Sequence, residues 1–178
     1  MTEPAIVWFR EDLRLADNPA LTAACARGGP VLCVYILDEE SEGMRAPGGA
    51  ARWYLHHALA ALSASLARSG GRLDLYRGPA ETVLRDLVAR SGAGALYWNR
   101  RYGGAETALD ARIKTACDGV CEVRSFSGKL LAEPWTALNR SGAPFRVFTP
   151  FWRAAQALVT TVLSSANCWQ SWRKLLNH

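Results

Sequence analysis

Short apolar runs alternate with stretches of helical periodicity along the first two thirds of the chain. Each run is four to seven residues long and is followed by a charged or polar residue, as buried strands often are. The second run is apolar throughout, which is typical of a strand covered on both faces of a parallel sheet. The runs predict strands at Ala5–Phe9, Val31–Leu37, Leu73–Tyr76, Ala95–Trp98 and Val120–Phe126.

Four helices are predicted between these strands, and a fifth is predicted after them. Asn18 and Pro19 supply a capping residue and a proline at the first helical position, which is a common helix start. Leucines recur at helical spacing in the long second helix, which two glycines end. The predicted helices are Pro19–Arg27, about Ala50–Ser69, a helix that begins at Pro79, about Ala105–Ala116, and Phe151–Leu158.

This order of elements predicts an α/β fold with a doubly wound, Rossmann-like, five-stranded parallel sheet flanked by helices. Ligands of such sheets bind beyond the carboxyl ends of the strands, near the point where the strand order reverses. The segments that follow the strands are therefore the candidate site. They are Arg10–Asp17, Asp38–Arg52, Arg77–Pro79 and Asn99–Glu106.

Composition and charge narrow the class of protein only slightly. The formal net charge is +5, which favours anionic partners, but the basic residues are spread from Arg10 to Lys174 as on an ordinary solvated surface. Five cysteines without a C-x-x-C pair do not suit zinc and fit a reducing cytosol. Met1–Asp12 carries charges where a signal peptide needs an apolar stretch, so we expect no signal peptide, and no apolar run is long enough to cross a bilayer. We therefore expect a cytoplasmic protein without a membrane partner.

The common catalytic and nucleotide-binding signatures are absent from the sequence. It contains no G-x-G-x-x-G after the first strand, no P-loop, no G-x-S-x-G and no H-E-x-x-H. These absences argue against a dinucleotide site, a serine hydrolase and a zinc protease.

Three segments stand out because they combine charged and aromatic residues at strand ends. They are W-F-R-E-D-L-R-L-A-D-N-P-A-L at Trp8–Leu21, Y-W-N-R-R-Y at Tyr97–Tyr102, and F-T-P-F-W at Phe148–Trp152. Taken alone, the first is a salt-bridged surface loop and the third an aromatic core patch. In this order, they resemble three landmarks of the DNA photolyase/cryptochrome family, and the resemblance extends over about Ile6–Leu158.

The resemblance implies an N-terminal α/β domain, residues 1–158, that holds a light-harvesting antenna pigment. In this family the pigment passes excitation energy to FAD in a larger helical domain, which also holds the tryptophan electron-transfer chain and the groove for a flipped pyrimidine dimer. That FAD-binding helical domain does not fit into 178 residues. We therefore expect this chain alone to lack repair activity and to meet DNA only indirectly, and we expect the helical domain to be its partner.

The resemblance carries over one set of residues for a methenyltetrahydrofolate-type pigment. Glu106 lies where folate-binding members use a carboxylate, which can accept two parallel hydrogen bonds from a pterin amino group and ring N–H. Ala105 lies where some of these members have an asparagine, so one side-chain contact is lost. The alternative for Glu106 is a carboxylate stabilised by the dipole of its helix.

A second set corresponds to members that bind a deazaflavin. Ile36, Leu37, Asp38 and Arg52 fall where those members line the pigment pocket. Arg101 replaces the acidic residue often found there, which makes a deazaflavin the less favoured pigment. The alternative for Asp38 and Arg52 is a surface ion pair.

The last residues, Val159–His178, depart from the family pattern and show no clear periodicity, so we expect them to be partly disordered or to cover a surface. We interpret Trp8, Trp53, Trp98, Trp135 and Trp152 as core or interface aromatics. Exposed aromatics at Trp135, Phe145, Phe148 and Trp152 would favour self-association. Two other functions stay open, namely a pigment-free module that docks onto a helical flavoprotein and a general nucleotide-binding α/β domain.

Overall fold

The computed structural model describes residues 2–130 and 133–165, with side chains described as far as Gln156. The chain forms two compact units, Met1–Lys129 and Leu130–His178, so the predicted domain 1–158 includes parts of both. The strands are β1 Ala5–Phe9, β2 Val31–Leu37, β3 Leu73–Arg77, β4 Ala95–Asn99 and β5 Glu122–Phe126. The helices are α1 Pro19–Ala26, α2 Gly49–Arg68, α3 Ala80–Ser91, α4 Gly104–Ala116 and α5 Phe148–Ser165.

The first unit is a parallel five-stranded sheet with the strand order β3-β2-β1-β4-β5, so the predicted α/β fold is confirmed. Right-handed crossovers place α1 and α2 on one face of such a sheet and α3 and α4 on the other. The strand order reverses between β1 and β4, where ligands of this architecture usually bind.

The two central strands form the core of this unit, because every residue of β1 and β4 is buried. Alternation along the strands directs Ile6, Trp8, Leu96 and Trp98 into the cluster formed with α3 and α4. Trp8 is paired in register with Trp98, and their rings meet edge to face with centroids 5.8 Å apart. The predicted core role of these two tryptophans is confirmed.

Local chemistry explains where two of the helices begin and end. The Asn18 side chain accepts a hydrogen bond from the Leu21 N–H at 3.1 Å and caps α1, with Pro19 as the first helical residue. Helix α3 ends at Gly92, whose φ of 62° lies in the left-handed region that glycine adopts without a steric penalty. The predicted start of α1 is therefore confirmed to the residue.

Several predicted boundaries differ from the observed ones by one residue, and those of β5 and α5 differ by more. Strand β5 begins at Glu122 and not at Val120, since the N–H groups of Val120 and Cys121 both donate to the Cys117 carbonyl and form a turn. Helix α5 begins at Phe148, because a proline in the first helical turn sacrifices no intrahelical hydrogen bond. It also continues past the predicted end at Leu158 to Ser165.

Disorder or the covering of a surface was expected for Val159–His178. Residues 159–165 belong to helix α5, and residues 166–178 lie outside the described part. Within the described residues, no helix is long and apolar enough to cross a membrane. The described part of the chain also holds no cluster of three or more potential metal ligands.

Candidate functional site

Buried polar residues collect where the strand order reverses. Among the described residues, the buried polar and charged side chains are Arg10, Asp12, Asn18, Asn99 and Asp110. Arg10 and Asp12 follow β1, Asn18 caps α1, Asn99 ends β4, and Asp110 lies in α4. We call these five residues the buried network.

Arg10 and Asp110 form a two-pronged ion pair at the centre of the buried network. The Arg10 Nη1 and Nη2 atoms donate to the two Asp110 carboxylate oxygens at 2.6 and 3.3 Å. The Trp98 indole Nε1 donates to Asp110 at 2.8 Å, and the guanidinium lies 4.6 Å from the Trp8 ring centroid. Burial lowers the pKa of Arg10, and the Asp110 charge opposes this effect. The pair therefore joins the end of β1 to α4 inside the core.

Asn99 connects the other members of the network. Its side-chain amide donates to the Asn18 Oδ1 at 2.8 Å and to the Asp12 carboxylate, while its own Oδ1 accepts from the Ala20 N–H at 3.2 Å. The Asp12 carboxylate also accepts from the backbone N–H of Arg10 at 2.9 Å. The surface-loop interpretation of this segment is thus wrong for Arg10 and Asp12, which hold the β1–α1 connection against β4.

A cavity of about 40 Å³ lies beside the buried network at the carboxyl edge. Its charged lining consists of five cationic side chains, Arg10, Arg14, Arg100, Arg101 and Lys129, and of the two carboxylates of Glu11 and Asp12. We call it the cationic cavity. Cationic side chains predominate in its lining, so its electrostatic potential favours negatively charged groups.

Of the residues predicted for the pigment, Arg101 lines the cationic cavity. Its side chain is half-buried, and its Nε has no hydrogen-bond partner in the described part of the chain. Its charge acts on Tyr35 at the end of β2, where burial raises the pKa of the tyrosine and Arg101 opposes that shift. Arg101 therefore extends the positive potential from β4 toward β2.

The residues predicted on β2 and α2 are engaged within the protein. Ile36 is buried in the core, and the Leu37 carbonyl accepts from the Gly78 N–H at 3.1 Å. Arg52 forms an ion pair with Glu39 at 2.6 Å. A surface ion pair was the alternative for Arg52, and its observed partner is Glu39.

Asp38 organises the loop after β2. Its carboxylate accepts from the Ser41 hydroxyl at 2.6 Å, from the Ser41 N–H at 2.9 Å and from the Ala80 N–H at 3.0 Å. Burial raises the pKa of Asp38, but the hydrogen bonds from Ser41, Ala80 and Glu40 outweigh burial and hold the pKa below its ordinary value. Asp38 thus links the β2–α2 loop to the start of α3.

Ala105 and Glu106 lie in the first turn of α4, which begins at Gly104, one residue before the predicted start. A side chain at Gly43, whose φ is +75°, would come within 3.0 Å of the Ala105 Cβ, so the β2–α2 loop lies against this helix start. Glu106 folds back over Gly103, and the described residues offer its carboxylate no hydrogen bond or ion pair. Glu106 is therefore a half-buried carboxylate that a ligand can use.

The segments predicted from strand ends contain neither Asp110 nor Lys129. A signal for Asp110 was available, because it is a carboxylate between Leu109 and Ile113 on the helix face that packs on the sheet. Lys129 follows β5, so applying the strand-end rule to the fifth strand would have found it.

The chain was compared with known proteins. It matches the family model described as DNA photolyase over residues 5–167. It is 53% identical over 156 residues to the deoxyribodipyrimidine photo-lyase of Agrobacterium fabrum, covering 87% of this chain and 32% of that protein. It is 41% identical over 152 residues to cryptochrome-1 of Arabidopsis thaliana, covering 83% of this chain and 22% of that protein.

The fold agrees with these sequence matches. The crystal structure of a class III photolyase from Agrobacterium tumefaciens superposes with a TM-score of 0.80 at 52% identity, covering 88% of this chain and 32% of that one. The chain thus spans about a third of the length of the photolyases it matches, and its structural counterpart is their N-terminal α/β domain. The family match covers most of the sequence and the signature residues form the buried network, so this chain belongs to the DNA photolyase family.

Proposed function

We propose that residues 1–158 act as the antenna domain of a photolyase-like DNA repair protein, binding a pigment and passing its excitation energy to FAD in a helical domain. The main support for this proposal is membership in the family, because the chain matches the N-terminal domain of photolyases and cryptochromes. Such a pigment supplies absorption in the near-ultraviolet or blue. The residues of this chain would bind and orient it.

The donor set of the chain fits a folate better than a deazaflavin. The Glu106 carboxylate has no partner among the described residues and can accept the two parallel N–H groups of a pterin. In contrast, Asp38 is occupied by Ser41 and Ala80, and Arg52 by Glu39. A deazaflavin would have to displace these contacts, so we propose a reduced folate of the methenyltetrahydrofolate type.

An absorbance and fluorescence titration tests the proposal. The purified protein is titrated first with a methenyltetrahydrofolate and then with a deazaflavin. We expect saturable binding of the folate with a shifted absorption band, and weaker binding of the deazaflavin. Saturation by the deazaflavin alone would assign the other pigment, and binding of neither would contradict the antenna role.

Glu106→Gln tests the carboxylate directly. Loss of a hydrogen bond to a charged group costs about 1.5–3 kcal/mol, so folate affinity should fall roughly 10-fold to 100-fold. Glu81→Gln is the matched control, because Glu81 is the first-turn carboxylate of α3 as Glu106 is of α4. The control should leave affinity unchanged. Equal affinities of both variants would leave Glu106 with only the role of a helix-dipole carboxylate.

The second candidate function is docking onto a helical flavoprotein without a pigment. Exposed aromatic side chains in the second unit, Leu130–His178, favour it. The side chains of Phe148, Phe151 and Trp152 are exposed at the start of α5, and the rings of Phe148 and Trp152 stack with centroids 6.1 Å apart. Exposed aromatic clusters of this kind mark interaction surfaces. Sedimentation of the chain, alone and mixed with an FAD-loaded helical flavoprotein, distinguishes docking from self-association. Phe148→Ser should weaken whichever complex forms.

A further inference from the structure

The cationic cavity contains a guanidinium whose charge nothing in the described chain neutralises. Arg10 is paired with Asp110, and Lys129 forms an ion pair with Glu11. Arg101 has no carboxylate within ion-pair distance in the described residues, and its Nε–H is buried without an acceptor. Arg101 lines the cavity as a half-buried guanidinium without an ion pair among the described residues, so a ligand oxygen that accepts from this guanidinium would stabilise the protein.

Arg10 contributes a second positive charge beside Arg101. Its Nη atoms are occupied by Asp110 and the Asn99 carbonyl, and its side chain is only 3% exposed. Arg101 is also close enough to Arg10 for its charge to lower the pKa of that guanidinium. Two guanidinium groups therefore repel one another beside a cavity that both line, and an anion between them would relieve that repulsion.

The size of the cavity restricts the ligand group. A volume of about 40 Å³ exceeds the roughly 10–15 Å³ that one water molecule needs. It is far below the roughly 300–1,000 Å³ of pockets that enclose ring systems. The cavity thus suits a group of a few heavy atoms, which is smaller than the ring system of a pigment.

We propose that the cationic cavity is an oxyanion site for a phosphate group, either inorganic phosphate or the terminal phosphate of an ester. A phosphate is favoured over a carboxylate because guanidinium groups bind both, whereas the excess of cationic side chains favours the more highly charged anion. Arg101 donates to the phosphate oxygens, and the charges of Arg10 and Arg14 add to the positive potential of the cavity. This site does not depend on the pigment proposal, since it involves neither Glu106 nor a ring.

Equilibrium dialysis with radiolabelled inorganic phosphate tests the site at constant ionic strength set with chloride. We expect one phosphate per chain and a rise in melting temperature with phosphate concentration, because binding to the folded state stabilises it. Sulfate should compete, whereas added chloride should not. Competition by phenyl phosphate would assign the site to a phosphate ester, and its failure to compete would assign it to the free ion.

Two variants distinguish phosphate binding at Arg101 from non-specific attraction of phosphate to a positively charged surface. Arg101→Gln should weaken phosphate binding at least tenfold. Arg27→Gln is the matched control, because Arg27 also has a buried Nε without an acceptor in the described residues but is paired with Glu122 at 2.6 Å. It should bind phosphate as the unaltered chain does. Non-saturable binding, equal displacement by chloride, or unchanged binding in Arg101→Gln would each overturn the proposal. Arg101→Gln is also titrated with folate. Because the phosphate site does not include Glu106, loss of phosphate binding with unchanged folate binding would distinguish this proposal from the antenna proposal.

Discussion

Two ion pairs at the carboxyl edge of the sheet have the same length and different surroundings. Arg10 meets Asp110 at 2.6 Å with side chains only 3% and 9% exposed. Arg52 meets Glu39 at the same 2.6 Å, but the arginine is 56% exposed. Burial therefore decides what each pair does, since an exposed pair is screened by water and a buried charge that loses its partner is not. The first pair holds the fold together, and the second leaves its arginine accessible to a ligand.

The largest effect should come from removing the buried partner. Asp110→Ala leaves the Arg10 guanidinium without its carboxylate and the Trp98 N–H without its acceptor. We expect a loss of roughly 3–5 kcal/mol in the free energy of unfolding. Urea denaturation followed by circular dichroism measures this loss.

A matched control and a compensating change make this test decisive. Asp86→Ala, at an exposed position of α3, should change stability by less than about 0.5 kcal/mol. Replacing the whole pair, Arg10→Met with Asp110→Leu, should recover much of the loss, because no buried charge is then left unpaired. If Asp110→Ala were as stable as Asp86→Ala, the Arg10–Asp110 pair would have no structural role.

A smaller loss in the free energy of unfolding is expected from a substitution at Asn18, in the same buried network. Asn18→Ala removes the cap of α1 and one hydrogen-bond partner of Asn99. Capping residues contribute about 1 kcal/mol, and up to about 2 when buried partners are involved, so a loss of roughly 2 kcal/mol is expected. Asn18→Ser retains an acceptor for the Leu21 N–H and should lose less. Equal losses in the two variants would show that the cap itself contributes little.

The contrast between the two pairs also explains how much the sequence predicts. Strands β1 and β2 were predicted to the residue, because their short apolar runs have the length of strands and end at charged residues. Asn18 was predicted as a cap from local chemistry alone. The Arg10–Asp110 pair could not be predicted, since its members lie 100 residues apart and only the β1–β4 pairing brings them together. The same limit applies to the pairing of Arg52 with Glu39 and not with Asp38.

Asp38 lies next to Glu39 of the exposed pair, and its contribution to the free energy of unfolding should depend on pH. Asp38→Ala removes acceptors for the Ala80 and Ser41 N–H groups, at a cost of about 1 kcal/mol near neutral pH. The folded-state pKa lies below the ordinary value of 3.8, so the contribution is present above pH 3.8 and is lost as the pH falls through the folded-state pKa. Urea denaturation at pH 7 and pH 3 measures this change. A difference between the two proteins that grows toward low pH would contradict the assignment.

The smallest effect on stability should come from Arg52→Gln. Glu39 stays paired with Arg77 at 3.1 Å, so we expect a change of less than about 0.5 kcal/mol that disappears at high salt. Arg72→Gln, which breaks the exposed pair with Asp74, is the control. The two variants should have the same stability, and they should differ only if Arg52 contacts a deazaflavin. A deazaflavin titration in which Arg52→Gln binds at least tenfold more weakly than Arg72→Gln would make Arg52 a pigment contact. Equal titrations would mean that the exposed pair contributes neither to stability nor to deazaflavin binding.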